Sequence, residues 1–182
     1  MNFFPDTKSA LVTHLKRHAL RTDGPFTLRS GAVAEWYLDA RQTTFDGEGA
    51  RLVGAAVAAR LPEETTAVGG MTMGADPIAV ATAMTTSPPL RAFSIRKEAK
   101  DHGTGGRLVG PIGPEDRVVV MEDTTTTGGA LTAAIAVLRE EGIPVLGALA
   151  LVDRSGGAVA ARLAQAGVTY DAIVTPSDLG LA

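Results

Sequence analysis

The sequence predicts an α/β fold in which a doubly wound, mostly parallel sheet follows a small N-terminal hood. Three observations carry this. Five runs of strand length, Ala67–Gly70, Ala92–Arg96, Val118–Met121, Val145–Val152 and Asp171–Val174, alternate with segments of helical pattern. Glycine-rich stretches stand at the ends of several of them, where such a sheet exposes its carboxyl edge. Finally, 182 residues with 45% hydrophobic content are enough for one full core, and no Pro/Gly/Ser tract or composition shift divides the chain into two. A single domain is expected, with a hood over residues 1–45 and a core over residues 46–182.

Composition narrows the function classes. A net charge of -3 makes no electrostatic bid for nucleic acid, so partners are expected to be small molecules. The absence of cysteine excludes a disulfide framework, a thiolate metal site and a thiol nucleophile together. No run of about twenty apolar residues suits a membrane span, and Met1–Asp6 lacks a signal peptide's basic head. The expected location is the cytoplasm.

Asp6 is a candidate N-cap for a helix from Thr7 to about Arg21, with Leu11, Val12, Leu15 and Ala19 on one stripe. His14 and His18 lie one turn apart on it. That spacing suits a metal, but with no third ligand nearby a solvated or capping role is expected. Phe26–Gly31 reads as a short strand and turn, and Glu35–Asp39 as a second strand carrying Trp36 and Tyr37, either as a core hairpin or as a binding surface. Asp46 can cap a helix from Gly47 to Arg60 with Leu52, Val53, Val57 and Leu61 inward; Pro62 stops it. Strand Ala67–Gly70 then runs into Met71–Pro77, where Asp76 as N-cap and Pro77 as first helical residue open a helix to Met84. After the strand ending at Arg96, four potential cations (Arg96, Lys97, Lys100, His102) and three glycines fall within eleven residues with no period of either kind. An exposed, mobile loop over about residues 97–108 is expected. Such a loop is either a solvated linker or a closing lid over an anion, which needs the same glycines and charges.

The chain is organised around Arg117–Glu141. Val118–Met121 reads as a strand buried on both faces, Gly128-Gly129 opens an Ala/Ile/Leu-rich helix, and Gly142 can end it. Between them the sequence predicts a loop holding the carboxylates Glu122 and Asp123 and the hydroxyls of Thr124, Thr125, Thr126 and Thr127. Helix-end N–H groups and hydroxyls suit phosphate oxygens, and carboxylates accept from vicinal ribose hydroxyls, so a phosphoribosyl group fits. The alternative is an ordinary loop with Thr127 as a helix cap. No Lys-Ser/Thr pair follows the glycines and no spaced glycines follow the strand directly, which argues against a Walker loop and a dinucleotide fingerprint. Beyond it, Pro144–Val152 is a long apolar strand, Ala158–Ala166 a helix, and Ser177–Leu179 a closing turn or short helix. Arg154, at a strand's carboxyl end, is either paired with Asp153 or placed to clamp an anion.

Three of these stretches resemble those of a known family. Glu-Asp-Thr-Thr-Thr-Thr-Gly-Gly at 122–129 is similar to the phosphoribosyl-diphosphate signature of the type I phosphoribosyltransferases. Phe26–Gly31 with the following aromatic pair, and Arg-Lys-x-x-Lys-x-His-Gly-x-Gly at 96–105, resemble the hood and lid of the orotate phosphoribosyltransferase family. The resemblance implies the type I phosphoribosyltransferase fold and the reaction of orotate with phosphoribosyl diphosphate. It implies Lys100, His102 and Asp123 as catalytic residues, and Arg96, Lys97, Lys100, His102, Glu122, Asp123, Thr124 to Thr127, Gly128 and Gly129 around phosphoribosyl diphosphate. Orotate falls to Arg29, Trp36, Tyr37, Thr126 and Arg154, the last on its carboxylate. Met71–Pro77 takes the place of the diphosphate loop, where the family often carries a Lys and this chain has Met73. The resemblance also implies Mg2+ held by substrate and water, with no direct protein ligand, and a two-fold homodimer whose lid cations reach the partner's site. Two other readings are a phosphoribosyltransferase for another base and a non-enzymatic sensor of phosphoribosyl diphosphate. A sensor should add a basic nucleic-acid face, and none is visible.

Overall fold

The computed structural model describes residues 7–27, 31, 33–99 and 106–181. Along the chain run α1 (Thr7–His18), β1 (Leu20–Arg21), β2 (Phe26–Thr27), β3 (Val33–Ala34), β4 (Tyr37–Leu38), α2 (Arg41–Thr44), α3 (Gly47–Ala58), β5 (Ala67–Met71), α4 (Ala75–Thr85) and β6 (Arg91–Ile95). They are followed by β7 (Leu108–Val109), β8 (Val118–Thr125), α5 (Gly129–Glu140), β9 (Val145–Asp153), α6 (Ala158–Gln165), β10 (Tyr170–Val174) and a 3-10 turn, Ser177–Leu179. Six strands form one sheet in the order β10-β9-β8-β5-β6-β7, parallel throughout except for the antiparallel edge strand β7.

Alternation along β8 explains the double winding. Val119 and Met121 join Leu11, Leu15, Val53, Val57 and Ile78 in a core beneath α1, α3 and α4. Val118 and Val120 face the other way, into a core with Leu131 and Leu138 of α5 and Val159 and Leu163 of α6. A strand buried on both faces has to be apolar without alternation, and Val118–Met121 is. The chain steps from β5 outward to β6 and then returns to place β8 on the other side of β5. That reversal of strand order opens a crevice beyond the carboxyl ends of β5 and β8, where ligands bind in open α/β sheets.

The expected strands all form, and several boundaries differ from those the sequence predicts. β8 runs past Met121 to Thr125, because β9 continues beside it and pairs Glu122 with Ala150 and Thr125 with Asp153. Glu122, Asp123, Thr124 and Thr125 are therefore strand residues and not loop residues. A strand end that projects beyond its covering helices keeps its backbone partners without needing apolar side chains. In α4, Gly74 holds the N-cap position and Asp76 lies inside the first turn, accepting from the Thr72 hydroxyl at 2.7 Å; Asp76 is not the cap. α1 ends at His18 and not near Arg21, since Leu20 and Arg21 leave it to pair with Leu38 and Tyr37. Within the aromatic stretch only Tyr37 and Leu38 are strand, and β6 ends at Ile95, after which the Arg96 N–H donates to the Arg107 carbonyl. Asp46 caps α3 as expected, accepting from the N–H groups of Glu48 and Gly49, although the helix ends at Ala58 before reaching Arg60. Gly128 takes the left-handed conformation (φ 73°) that starts α5, and Thr127 reaches the Gly129 N–H only at 3.4 Å.

His14 is buried. Its ring nitrogens lie 3.2 Å from Thr43 Oγ1 and 3.1 Å from Asp46 Oδ2, tying α1 to the capped end of α3, while the exposed His18 ring stacks on it at 4.3 Å. The Asp6 cap and Lys100 to Gly105 of the expected lid lie outside the described residues.

Candidate active site

The crevice at the switch point is a cleft of about 520 Å³. One wall is the turn from β5 into α4, Met71–Gly74, and the other is the end of β8 with Glu122 and Asp123; Arg41 and Lys97 stand over it. The walls meet closely. A Cβ built on Gly74 would fall 2.6 Å from Asp123 Oδ1 and 2.7 Å from its carboxyl carbon, so only glycine leaves this carboxylate its place. The Thr124 N–H donates to Asp123 Oδ1 at 2.7 Å.

Several polar atoms along this edge lack a partner. Among the described residues, Glu122 Oε2, in the lining of the cleft, and Thr124 Oγ1 and Asp76 Oδ1, outside that lining, are buried without a hydrogen bond. Buried polar groups ordinarily find partners, and those left over at a cleft mark atoms that a ligand can satisfy. Burial pushes the Glu122 carboxyl up to about 8; the Asp123 charge adds to this and Lys97 opposes it. At neutral pH in the free protein Glu122 therefore holds a proton, and hydroxyl donors or a cation entering the cleft favour its release.

This shift has a signed consequence for stability. The carboxyl of the unfolded chain, with its ordinary value of 4.5, ionises earlier than that of the folded protein. Stability from this group is complete below about pH 4.5 and is lost as pH rises toward about 8. Glu122→Gln removes the titration. Thermal melts of the unliganded protein between pH 5 and pH 8.5 are expected to show a smaller decline for Glu122→Gln than for the wild type. Equal declines would mean that Glu122 ionises freely.

A second cluster lies where the hood meets the end of β9. The Arg154 N–H donates to the Thr125 carbonyl, and its guanidinium lies 4.0 Å from the centre of the Trp36 ring. Burial lowers the Arg154 pKa, partly opposed by Tyr37. Phe26 packs on Tyr37 with ring centres 6.0 Å apart. The alternative of an Arg154–Asp153 surface pair is not what forms: Asp153 is buried and accepts from the Ser155 N–H at 2.6 Å. Strand β8 joins the two clusters, with its carboxylates in the cleft and Thr125 against Arg154. Thr126 and Thr127 are exposed at the start of α5, where Arg162 donates to the Thr127 carbonyl at 3.1 Å.

Of the residues singled out in the sequence, Lys97, Glu122 and Asp123 share the cleft, and Trp36, Tyr37 and Arg154 share the hood cluster. Arg96 is half-buried and does not line the cleft. Arg29, Lys100 and His102 lie outside the described residues. Thr72, within the expected diphosphate loop Met71–Pro77, lines the cleft. Sequence reading missed Arg41, which lines the cleft, and Arg107, whose Nε donates to the Arg96 carbonyl at 2.9 Å. No motif marks either.

No protein-family model matches the sequence. Orotate phosphoribosyltransferase of Streptomyces avermitilis is 42% identical over 180 residues, covering 97% of this chain and 98% of that one. Among solved structures, Mycobacterium tuberculosis orotate phosphoribosyltransferase in complex with 5-phospho-alpha-D-ribosyl 1-diphosphate is similar with a TM-score of 0.83 and 29% identity, covering 96% of this chain and 99% of that one. Orotate phosphoribosyltransferase from Aeropyrum pernix has a TM-score of 0.76 and 31% identity, covering 93% of this chain and 95% of that one. With this identity spanning nearly the whole of both sequences, and with the paired carboxylates seated at the switch point of the same fold, the chain belongs to the orotate phosphoribosyltransferase family.

Proposed function

We propose that this chain transfers the phosphoribosyl group of 5-phosphoribosyl 1-diphosphate to orotate, giving orotidine 5′-monophosphate and diphosphate in pyrimidine synthesis. The observation that supports this most directly is the cleft itself. Two adjacent carboxylates, with the unpartnered Glu122 Oε2 and Thr124 Oγ1, stand between a helix N-terminus and a cluster that joins a cation to an aromatic ring.

In this reading Thr124, Thr125, Thr126 and Thr127 with Gly128 and Gly129 take the 5-phosphate, helped by the unpaired N–H groups that open α5. Glu122 and Asp123 accept from the ribose hydroxyls. The turn at Thr72–Gly74 and the cations Arg96, Lys97, Lys100 and His102 take the diphosphate. Orotate lies against Trp36 and Tyr37, with Arg29 and Thr126 beside it and its carboxylate on the planar fork of Arg154. No nucleophile is needed. The C1′–O bond breaks with its electron pair leaving on diphosphate, while a ring nitrogen of orotate forms the new bond to C1′ and gives up its proton to water or to the departing diphosphate. The protein's task is to position the partners, to neutralise the leaving group through Lys100 and His102, and to offset positive charge at C1′ through Asp123. Magnesium would be held mainly by substrate oxygens and water and would supply further charge neutralisation for the leaving group; in the cleft lining Glu122 and Asp123 offer the carboxylate oxygens that suit a hard cation. The reading includes a cytoplasmic enzyme, and a two-fold homodimer in which the lid of one subunit serves its partner's site.

The test follows orotate absorbance with purified protein, phosphoribosyl diphosphate and magnesium. Loss of orotate that stops on chelation is expected, and no loss with both substrates and metal present would overturn the reading. Arg154→Ala is expected to raise the orotate KM about thirtyfold, corresponding to roughly 2 kcal/mol for one charge-assisted clamp, with the phosphoribosyl-diphosphate KM little changed. Equal losses for both substrates would remove Arg154 from the base pocket.

A further inference from the structure

We infer that Arg41 binds the diphosphate of the substrate, a cation that the hood supplies to the leaving-group half of the cleft. The inference rests on the cleft being the phosphoribosyl-diphosphate site. Arg41 lines the same cleft as Thr72, Met73, Gly74, Glu122 and Asp123.

Its side chain is held in place. Arg41 Nε donates to Asp39 Oδ1 at 2.7 Å, the Arg41 backbone N–H donates to the same oxygen at 3.2 Å, and Gln42 Nε2 steadies the other Asp39 oxygen at 3.2 Å. The two terminal guanidinium nitrogens have no protein partner among the described residues. A fork anchored through Nε on a residue that lines the cleft, with its outer N–H groups unpaired among the described residues, is suited to a bidentate anion. The Asp39 hydrogen bond raises the Arg41 pKa, and the Asp123 charge contributes as well, so the cation is within electrostatic reach of Asp123.

Charge balance supplies the second argument. A multiply anionic diphosphate has to settle beside two carboxylates, and without cations the like charges repel. Met73, at the turn, is 57% exposed and brings none. Among the described residues Lys97 is the other cation lining the cleft, on the segment leading out of β6, whereas Arg41 starts α2, whose Thr43 and Thr44 are buried. Arg41 is thus a built-in counter-charge for the leaving group.

The experiment titrates inorganic diphosphate with magnesium into the protein by calorimetry and measures the two Michaelis constants in parallel. Arg41→Gln is expected to weaken diphosphate binding and raise the phosphoribosyl-diphosphate KM by about ten- to a hundredfold, the range for one lost charge-assisted contact. The orotate KM should stay within about twofold, and Arg41→Lys should fall between because it keeps charge and loses the fork. Met73→Lys added to Arg41→Gln should restore part of the binding, since residue 73 faces the same space. Circular dichroism and a thermal melt check that each variant folds. If Arg41→Gln leaves diphosphate binding and both constants unchanged while Asp123→Asn loses phosphoribosyl diphosphate, Arg41 serves only Asp39 and the inference is wrong. A rise confined to orotate overturns it equally. If Asp123→Asn also has no effect, it is the assignment of the cleft that fails.

Discussion

Asp123→Asn is expected to fold normally and to lose activity by a factor of about a hundred to a thousand in kcat/KM. The amide fits the same space, but in the proposed reading its nitrogen is a donor where the ribose hydroxyls need an acceptor, and the charge offered to C1′ is gone. Hydrogen bonds to a charged group contribute roughly 1.5–3 kcal/mol each, and two of them with the lost Coulomb attraction reach the expected range. The Thr124 N–H already donates to Asp123 Oδ1 at 2.7 Å, which favours one orientation of the carboxylate before substrate arrives. Circular dichroism and a melting curve separate loss of fold from loss of function, and steady-state kinetics gives the factor. If Asp123→Asn and Glu122→Gln together leave kcat/KM within about twofold, only about 0.4 kcal/mol, neither carboxylate holds the ribose.

The sequence made the sheet legible because burial on both faces leaves little choice of residue. Val118–Met121 and the apolar run that ends at Val152 could hardly be anything else. The point at which β8 stops was not legible. Glu122, Asp123, Thr124 and Thr125 look like a loop because they are polar, yet they stay in register with β9 through backbone hydrogen bonds, which side-chain patterning does not report. The same limit explains Asp76. It has the identity of a cap and Pro77 after it, but the tight turn from β5 puts Gly74 at the N-cap, leaving Asp76 to bond the Thr72 hydroxyl from inside the first turn. The carboxylates and Arg154 were legible because a motif concentrates chemistry in a few adjacent residues. Arg41 was not: it opens a four-residue helix with no pattern of its own, and only the approach of the hood to the carboxyl edge of the sheet gives it a role.

Two glycines four residues apart should answer differently to the same added methyl group. Gly70 lies in the centre of the sheet between β8 and β6, and a Cβ there would run into the backbone carbonyl of Met121, with Ala75 Cβ 2.9 Å away on α4. Neither neighbour can swing aside, because one is a strand backbone and the other a buried helix start. Gly70→Ala is therefore expected to cost about 3 kcal/mol or more, at the upper end for overpacking, and to lower the Tm by roughly 6–12 °C for a chain of this size. At Gly74 the obstacle is the Asp123 carboxylate, a side chain that borders an open cleft and can rotate. Gly74→Ala should accordingly melt within a few degrees of the wild type yet lose activity almost as Asp123→Asn does, because the carboxylate is pushed off the ribose. Melting curves and kinetics on the two variants decide it. A Gly74→Ala protein with full activity would show that Asp123 reaches the ribose from a second position, whereas an unaltered melt for Gly70→Ala would mean that β5 and β8 can part without loss of the core.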